Sequence, residues 1–128
     1  MFSSPIHNIE QLMIPHDATV VDLGAGSGFY TLATAEALKG SGMVYAVDIQ
    51  KDTLEHVMKK AHEKHLSNVQ IVWGDFEVKG GVKLHDRVAD VAILSNVLFQ
   101  APDKSATLTE AKRLLKPSGK LLLIDWAV

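Results

Sequence analysis

The sequence predicts an α/β protein, a doubly wound parallel sheet with helices on both faces. Three observations carry this. Apolar runs of strand length alternate along the chain with segments of helical apolar spacing. The first run, Ala18 to Leu23, leads directly into three alternate glycines, Gly24, Gly26 and Gly28. The second, Met43 to Asp48, ends in a carboxylate about twenty residues past that loop, where nucleotide-binding sheets accept the hydroxyls of a ribose.

Residues 1–17 read as an N-terminal arm. Ile6, Ile9, Leu12 and Met13 stand at helical spacing between Pro5 and Pro15, which suits a short helix packed on the sheet or a flap over a ligand. The strand Ala18–Leu23 follows, then the glycine loop, where residues without Cβ let the backbone turn tightly and approach a ligand. Leu32, Ala35 and Leu38 mark the first principal helix, stopped by Lys39-Gly40-Ser41-Gly42. After the strand Met43–Asp48, residues 51–66 form a helix with Leu54, Val57, Met58, Ala61 and Leu66 toward the core. Asp52 or Thr53 can cap it, which relieves Asp48 of that role and favours ribose binding over an exposed loop or capping carboxylate.

Asn68 opens a third strand, Val69 to Trp73, followed by Gly74-Asp75-Phe76. Gly80-Gly81 and the charged stretch Lys83 to Arg87 make a connection with little helical pattern. Asp90 to Ser95 is the fourth strand, and Asn96 to Ala101 leaves its C-terminal end, on the side where open α/β sheets bind ligands. Pro102-Asp103 starts a helix through Leu108, Ala111, Leu114 and Leu115. Lys116-Pro117-Ser118-Gly119 stops it before a fifth strand, Lys120 to Trp126.

Composition narrows the function. At 128 residues and 13.9 kDa the chain is one domain, residues 1–128, able to bury about two-thirds of its unfolded surface. A net charge of -2 gives no electrostatic reason to expect nucleic acid or a membrane surface. With no cysteine, the chain supplies no disulfide, thiolate metal ligand or cysteine nucleophile, which fits a cytoplasmic protein. No signal-like segment or membrane span is legible. His62 and His65 stand three apart on one helix, but they lack the four-residue zincin spacing and a third ligand, so no metal site is assigned.

The chemistry turns on Asp22, two residues before the first glycine. A carboxylate there repels a pyrophosphate but suits an ammonium or sulfonium cation, and the third glycine comes one residue earlier than in dinucleotide loops. The run D-x-G-x-G-x-G resembles the donor-binding motif of class I S-adenosylmethionine (SAM)-dependent methyltransferases. Asp48, Gly74-Asp75 and the segment R-L-L-K-P-S-G-K-L-L-L-I follow in the order and at the spacings of that family. The resemblance covers about residues 17–126 and is greatest to the type 11, or UbiE-like, branch.

This resemblance implies a Rossmann-like sheet in the order 3-2-1-4-5, with SAM as cofactor across the switch point between strands one and four. It places Asp22, Gly24, Ala25, Gly26, Gly28 and Phe29 around the methionine part and Asp48 on the ribose. Ile49, Gly74, Asp75 and Phe76 fall at the adenine, while Ser95, Asn96 and Gln100 face the transferable methyl. The implied reaction is methyl transfer to a small-molecule acceptor, with no residue identified as general base. The N-P-P-[YF] and Pro-Cys variants of amine and cytosine-C5 methylation are absent.

Two rival readings remain: an NAD(P)-dependent oxidoreductase, which the glycine spacing and Asp22 oppose, and a non-catalytic SAM-binding or structural subunit. The family adds sixth and seventh strands beside the fifth, and this sequence stops at Val128. The expectation is therefore either a fragment or an apolar fifth-strand edge covered by a partner, for instance in a homodimer.

Overall fold

A computed structural model of the chain describes residues 14–95 and 104–124. The arm before Ile14, Asn96, Gln100, the Pro102-Asp103 helix start and the strand end at Trp126 lie outside these residues. Five strands form one sheet: β1 (Thr19–Leu23), β2 (Met43–Asp48), β3 (Val69–Trp73), β4 (Ala89–Ser95) and β5 (Leu115–Ile124). Among the described residues three helices connect them: α1 (Phe29–Leu38), α2 (Lys51–Glu63) and α3 (Lys104–Leu114). The order is β3-β2-β1-β4-β5, and every pairing is parallel. Between β1 and β4 the chain direction of winding reverses, so a crevice opens above their C-terminal ends.

Strand alternation sorts the core into two layers. Val20, Val44, Ala46, Val91 and Ile93 face α1 and α2, meeting Leu32, Ala35, Leu54, Val57 and Ala61. Their neighbours Val21, Leu23, Val47 and Leu94 face the other way, against Ala111 and Leu114 of α3 and Val82 of the β3–β4 connection. Central strands with both faces covered read as continuous apolar runs, which is why β1 and β4 were legible.

Two boundaries differ from the sequence reading. The helix over 51–66 ends at Glu63, because His65 turns left-handed (φ 58) and the Leu66 N–H reaches back to the Ala61 carbonyl at 2.9 Å. Leu66 still packs on the core, as its spacing suggested. At the other end, β5 begins at Leu115, paired with Ala89, and resumes at Lys120, paired with Val91. Residues 116–119 bulge from the ladder between these points, since Pro117 has no N–H to give it.

Candidate functional site

The site is built from the C-terminal ends of β1, β2 and β3. The carbonyl of Val47, at the end of β2, accepts the N–H groups of Gly24 (2.8 Å) and Ala25 (3.0 Å) and so ties the glycine loop to its neighbouring strand. Gly26 then stands exposed with φ 55, a left-handed conformation that favours glycine. A Cβ there would meet only the Gly24 carbonyl oxygen, at 3.9 Å, so the space over the loop is open. Gly28 caps α1 with φ 87, and its carbonyl accepts the first helical bond, from Leu32.

Asp48 ends β2 beside this loop. Its Oδ2 accepts the Gly26 N–H at 3.3 Å and its Oδ1 the Gln50 N–H at 3.0 Å, while its backbone carbonyl accepts the Gly74 N–H at 3.1 Å. One residue thus joins the glycine loop, the start of α2 and the end of β3. The carboxylate is partly exposed and keeps lone pairs for a ligand. Ile49, next in the chain, is 52% exposed. The Asp75 carboxylate accepts the Glu77 N–H at 2.9 Å, which holds the turn after β3.

Asp22 lies beneath the loop rather than on its surface, at 1% exposure. Its Oδ2 accepts the Thr31 hydroxyl at 2.7 Å, and its Oδ1 has no hydrogen-bond partner among the described residues. Burial pushes its carboxyl up to about 6; the Thr31 hydroxyl pulls part of the way back, and the charge of Asp48 adds to the rise. Two carboxylates therefore converge under one crevice, an arrangement that favours a cation above them.

The structure brings Gly26 and Gly74 to Asp48 by direct hydrogen bonds, and Gly24 and Ala25 to the neighbouring Val47 carbonyl. Other expected residues make their contacts elsewhere around the crevice. Phe29, 64% exposed, has the Lys60 ammonium of α2 over its ring at 5.8 Å, and so flanks the outer side of the loop. Phe76 packs partly into the α3-side core. Ser95 ends β4 next to Leu94, which pairs with Leu23. His62 and His65 line an open cleft of about 330 Å³ with Met58, Leu66, Ser67 and Val69, at the opposite end of β3 from the loop. Among the described residues no group of three or more His, Asp or Glu side chains could hold a metal ion.

Sequence reasoning missed several supporting groups. Thr31 and Thr34 are both fully buried on the core face of α1, and a hydroxyl on an otherwise apolar stripe was the available signal. Lys60 donates to the Ser27 carbonyl at 3.3 Å, and the Trp73 indole donates to the Ile49 carbonyl at 2.7 Å. Both bonds cross between elements, so no local spacing marks them.

Known proteins agree with this geometry. A family model described as a methyltransferase domain matches residues 14–127. The demethylmenaquinone methyltransferase of Geobacillus sp. (strain WCH70) is 27% identical over 117 residues, 91% of this chain and 49% of that protein. The arsenite methyltransferase of Aquipseudomonas alcaligenes is 36% identical over 110 residues, 83% of this chain and 32% of that protein. A crystal structure of a SAM-dependent methyltransferase from Aquifex aeolicus superposes with a TM-score of 0.85 at 26% identity, covering 95% of this chain and 63% of the other. The chain spans half or less of the length of these two curated relatives. With the five-stranded order, the glycine loop and the Asp48 bridge in place, the chain belongs to the class I SAM-dependent methyltransferase family.

Proposed function

We propose that this chain forms the cofactor-binding part of an enzyme that transfers a methyl group from SAM to a small-molecule acceptor. The observation that carries the reading is Asp48. Its partly exposed carboxylate stands against an open Gly26, with the buried Asp22 carboxylate below. The residues present fit the cofactor. The unpartnered Asp22 Oδ1 and the open space over Gly26 are what a cationic, amino-bearing ligand on this loop requires. Asp48 would hold the ribose hydroxyls, Ile49 and the Gly74–Phe76 turn the adenine, and the loop from Gly24 to Gly28 the methionine part.

When bound, the cofactor supplies an electrophilic methyl on a sulfonium. This chain's residues contribute alignment, which supplies up to about 7–11 kcal/mol in favourable intramolecular cases. Asp22 and Asp48 stabilise the cation before transfer, so they serve binding rather than the chemical step. Ser95, at the end of β4, is assigned to the methyl end of the crevice, and so, from the sequence, is Asn96.

The relatives support a small-molecule acceptor. The names of two relatives specify demethylmenaquinone and arsenite. No helix among the described residues is long and apolar enough to cross a membrane. A cytoplasmic location and self-association through β5 belong to the same reading, the latter supported by Leu121 and Leu123 at 39% and 49% exposure on that edge strand.

Calorimetry with SAM, S-adenosylhomocysteine and NADH tests the cofactor: both sulfur ligands should bind and NADH should not. Methyl transfer from labelled SAM to a panel of quinols, phenols and amines tests the reaction. Binding without transfer to any acceptor would instead support a non-catalytic SAM-binding subunit.

A further inference from the structure

We propose that Glu110 and Arg113 of α3 are positioning residues that set the Gly74–Phe76 turn for the adenine end of the cofactor, acting through Gly81. The inference rests on the assignment of that turn to adenine made above, and adds what holds it there.

Glu110 is fully buried, and all of its acceptor capacity is directed at one loop and one arginine. Its Oε1 accepts the Gly80 N–H at 2.9 Å and its Oε2 the Val82 N–H at 3.0 Å. Arg113 meets the same two oxygens through Nε (2.7 Å) and Nη2 (2.8 Å). The guanidinium also donates to the carbonyls of Val82 (2.8 Å) and Leu84 (3.1 Å) and to Asp86 (2.6 Å). Burial alone would push the Glu110 carboxyl up, but the bonds from Arg113, Gly80 and Val82 outweigh it and hold the group below its ordinary range. A buried ion pair of this kind is often no more stabilising than apolar residues of equal volume. What it specifies is backbone position, here two N–H groups and two carbonyls of residues 80–84.

Gly81 lies at the centre of that clamped stretch and against the turn. The Gly81 N–H donates to the Val78 carbonyl at 2.8 Å, and the Val78 N–H donates to the Asp75 carbonyl at 3.3 Å. A Cβ on Gly81 would collide with the Asp75 carbonyl oxygen, and one on Gly74 would stand 2.7 Å from the Gly81 carbonyl oxygen. Backbone meets backbone without an intervening side chain, so a displacement of residues 80–82 passes directly to Gly74 and Asp75. The Gly74 N–H in turn bonds to Asp48. The clamp therefore reaches the cofactor crevice through contacts that have no slack.

The test compares two ligands that differ only at the base, S-adenosylhomocysteine and S-inosylhomocysteine, by calorimetry on the full chain. With Asp75 at the exocyclic amine, the unaltered protein should prefer the adenosyl ligand by about tenfold or more. Glu110→Gln should reduce that preference below threefold, because the turn is no longer held in register. A purely structural role would lower the melting temperature or weaken both ligands alike and leave the ratio intact; that result overturns the proposal. If the unaltered protein shows no preference, the adenine assignment itself fails and the proposal falls with it, an outcome distinguished by needing no variant. Should Glu110→Gln not fold, Arg113→Lys takes its place under the same criterion. Hydrogen exchange on the unaltered protein gives a second reading: S-adenosylhomocysteine should slow exchange at Gly81 and Val82, and unchanged exchange there also overturns the proposal.

Discussion

Thr31 donates its hydroxyl to the Asp22 carboxylate at 2.7 Å across nine residues, joining the end of β1 to the first turn of α1 beneath the glycine loop. Both side chains are buried, and this bond satisfies one of the two oxygens of a charge-capable group that water does not reach. The loop is thus closed from below by a polar bond within an otherwise apolar strand–helix contact.

Thr31→Val removes the donor at nearly constant volume and leaves the buried carboxyl unsatisfied. The expected cost is about 1–3 kcal/mol of stability, while Thr31→Ser should recover most of it. Denaturant unfolding of the three proteins measures both.

Asp22 also predicts a pH dependence. Its carboxyl is raised in the folded protein from 3.8 to about 6, so between those values the folded state holds the proton more tightly than the unfolded chain. The stability associated with Asp22 is therefore present below about pH 4, falls as pH rises through 6 and is flat above it. The full shift corresponds to about 3 kcal/mol. Asp22→Asn, which keeps an oxygen for Thr31, should abolish that slope and raise the melting temperature at pH 7.5. An unchanged profile between pH 4 and 7 would show that Asp22 does not titrate there.

Asp48→Ala should weaken SAM binding on the order of a hundredfold, from the loss of two hydroxyl bonds to a charged acceptor at about 1.5–3 kcal/mol each, partly offset by solvent. Because Asp48 also accepts the Gly26 and Gln50 N–H groups, a small loss of melting temperature accompanies it. Calorimetry beside thermal unfolding separates the two effects, and an unaltered dissociation constant would remove Asp48 from the ribose.

Gly26→Ala introduces a Cβ at φ 55, a strain of about 1–2 kcal/mol, into space the ligand is assigned to fill. The variant should fold by circular dichroism and lose SAM binding by tenfold or more. Gly26→Val should bind still less and be less stable, since β-branching deepens the strain. Normal binding by the alanine variant would mean that the loop does not cradle the cofactor.

Association through β5 should respond to the face that is substituted. Leu123 is half exposed, whereas Leu122 packs on the α1–α2 core. Leu123→Lys should reduce association seen by light scattering with size exclusion while preserving the fold, and Leu122→Lys should destabilise the protein. A monodisperse monomer of the unaltered chain at every concentration would remove strand pairing from the reading.

The sequence by itself determined the strands that build the sheet, the glycine loop at Gly24–Gly28, Asp48 at the end of β2 and the turn at Gly74-Asp75, while the order of the strands came from the family resemblance. These are properties of local spacing: a buried parallel strand is a continuous apolar run, and a run of alternate glycines marks a loop that must turn tightly and stay open, as at Gly24, Gly26 and Gly28. Asp22 illustrates the boundary. Its position before the loop was legible, but its burial, its bond to Thr31 and its raised carboxyl depend on α1 lying over β1. Tertiary structure alone decided that Phe29 flanks α2, that Leu66 closes rather than extends a helix, and that Glu110 and Arg113 grip a loop some 30 residues earlier. Such contacts join residues distant in sequence, and the cost of taking their polar groups out of water is offset only where the fold brings the partners together, a condition that spacing along one chain does not encode.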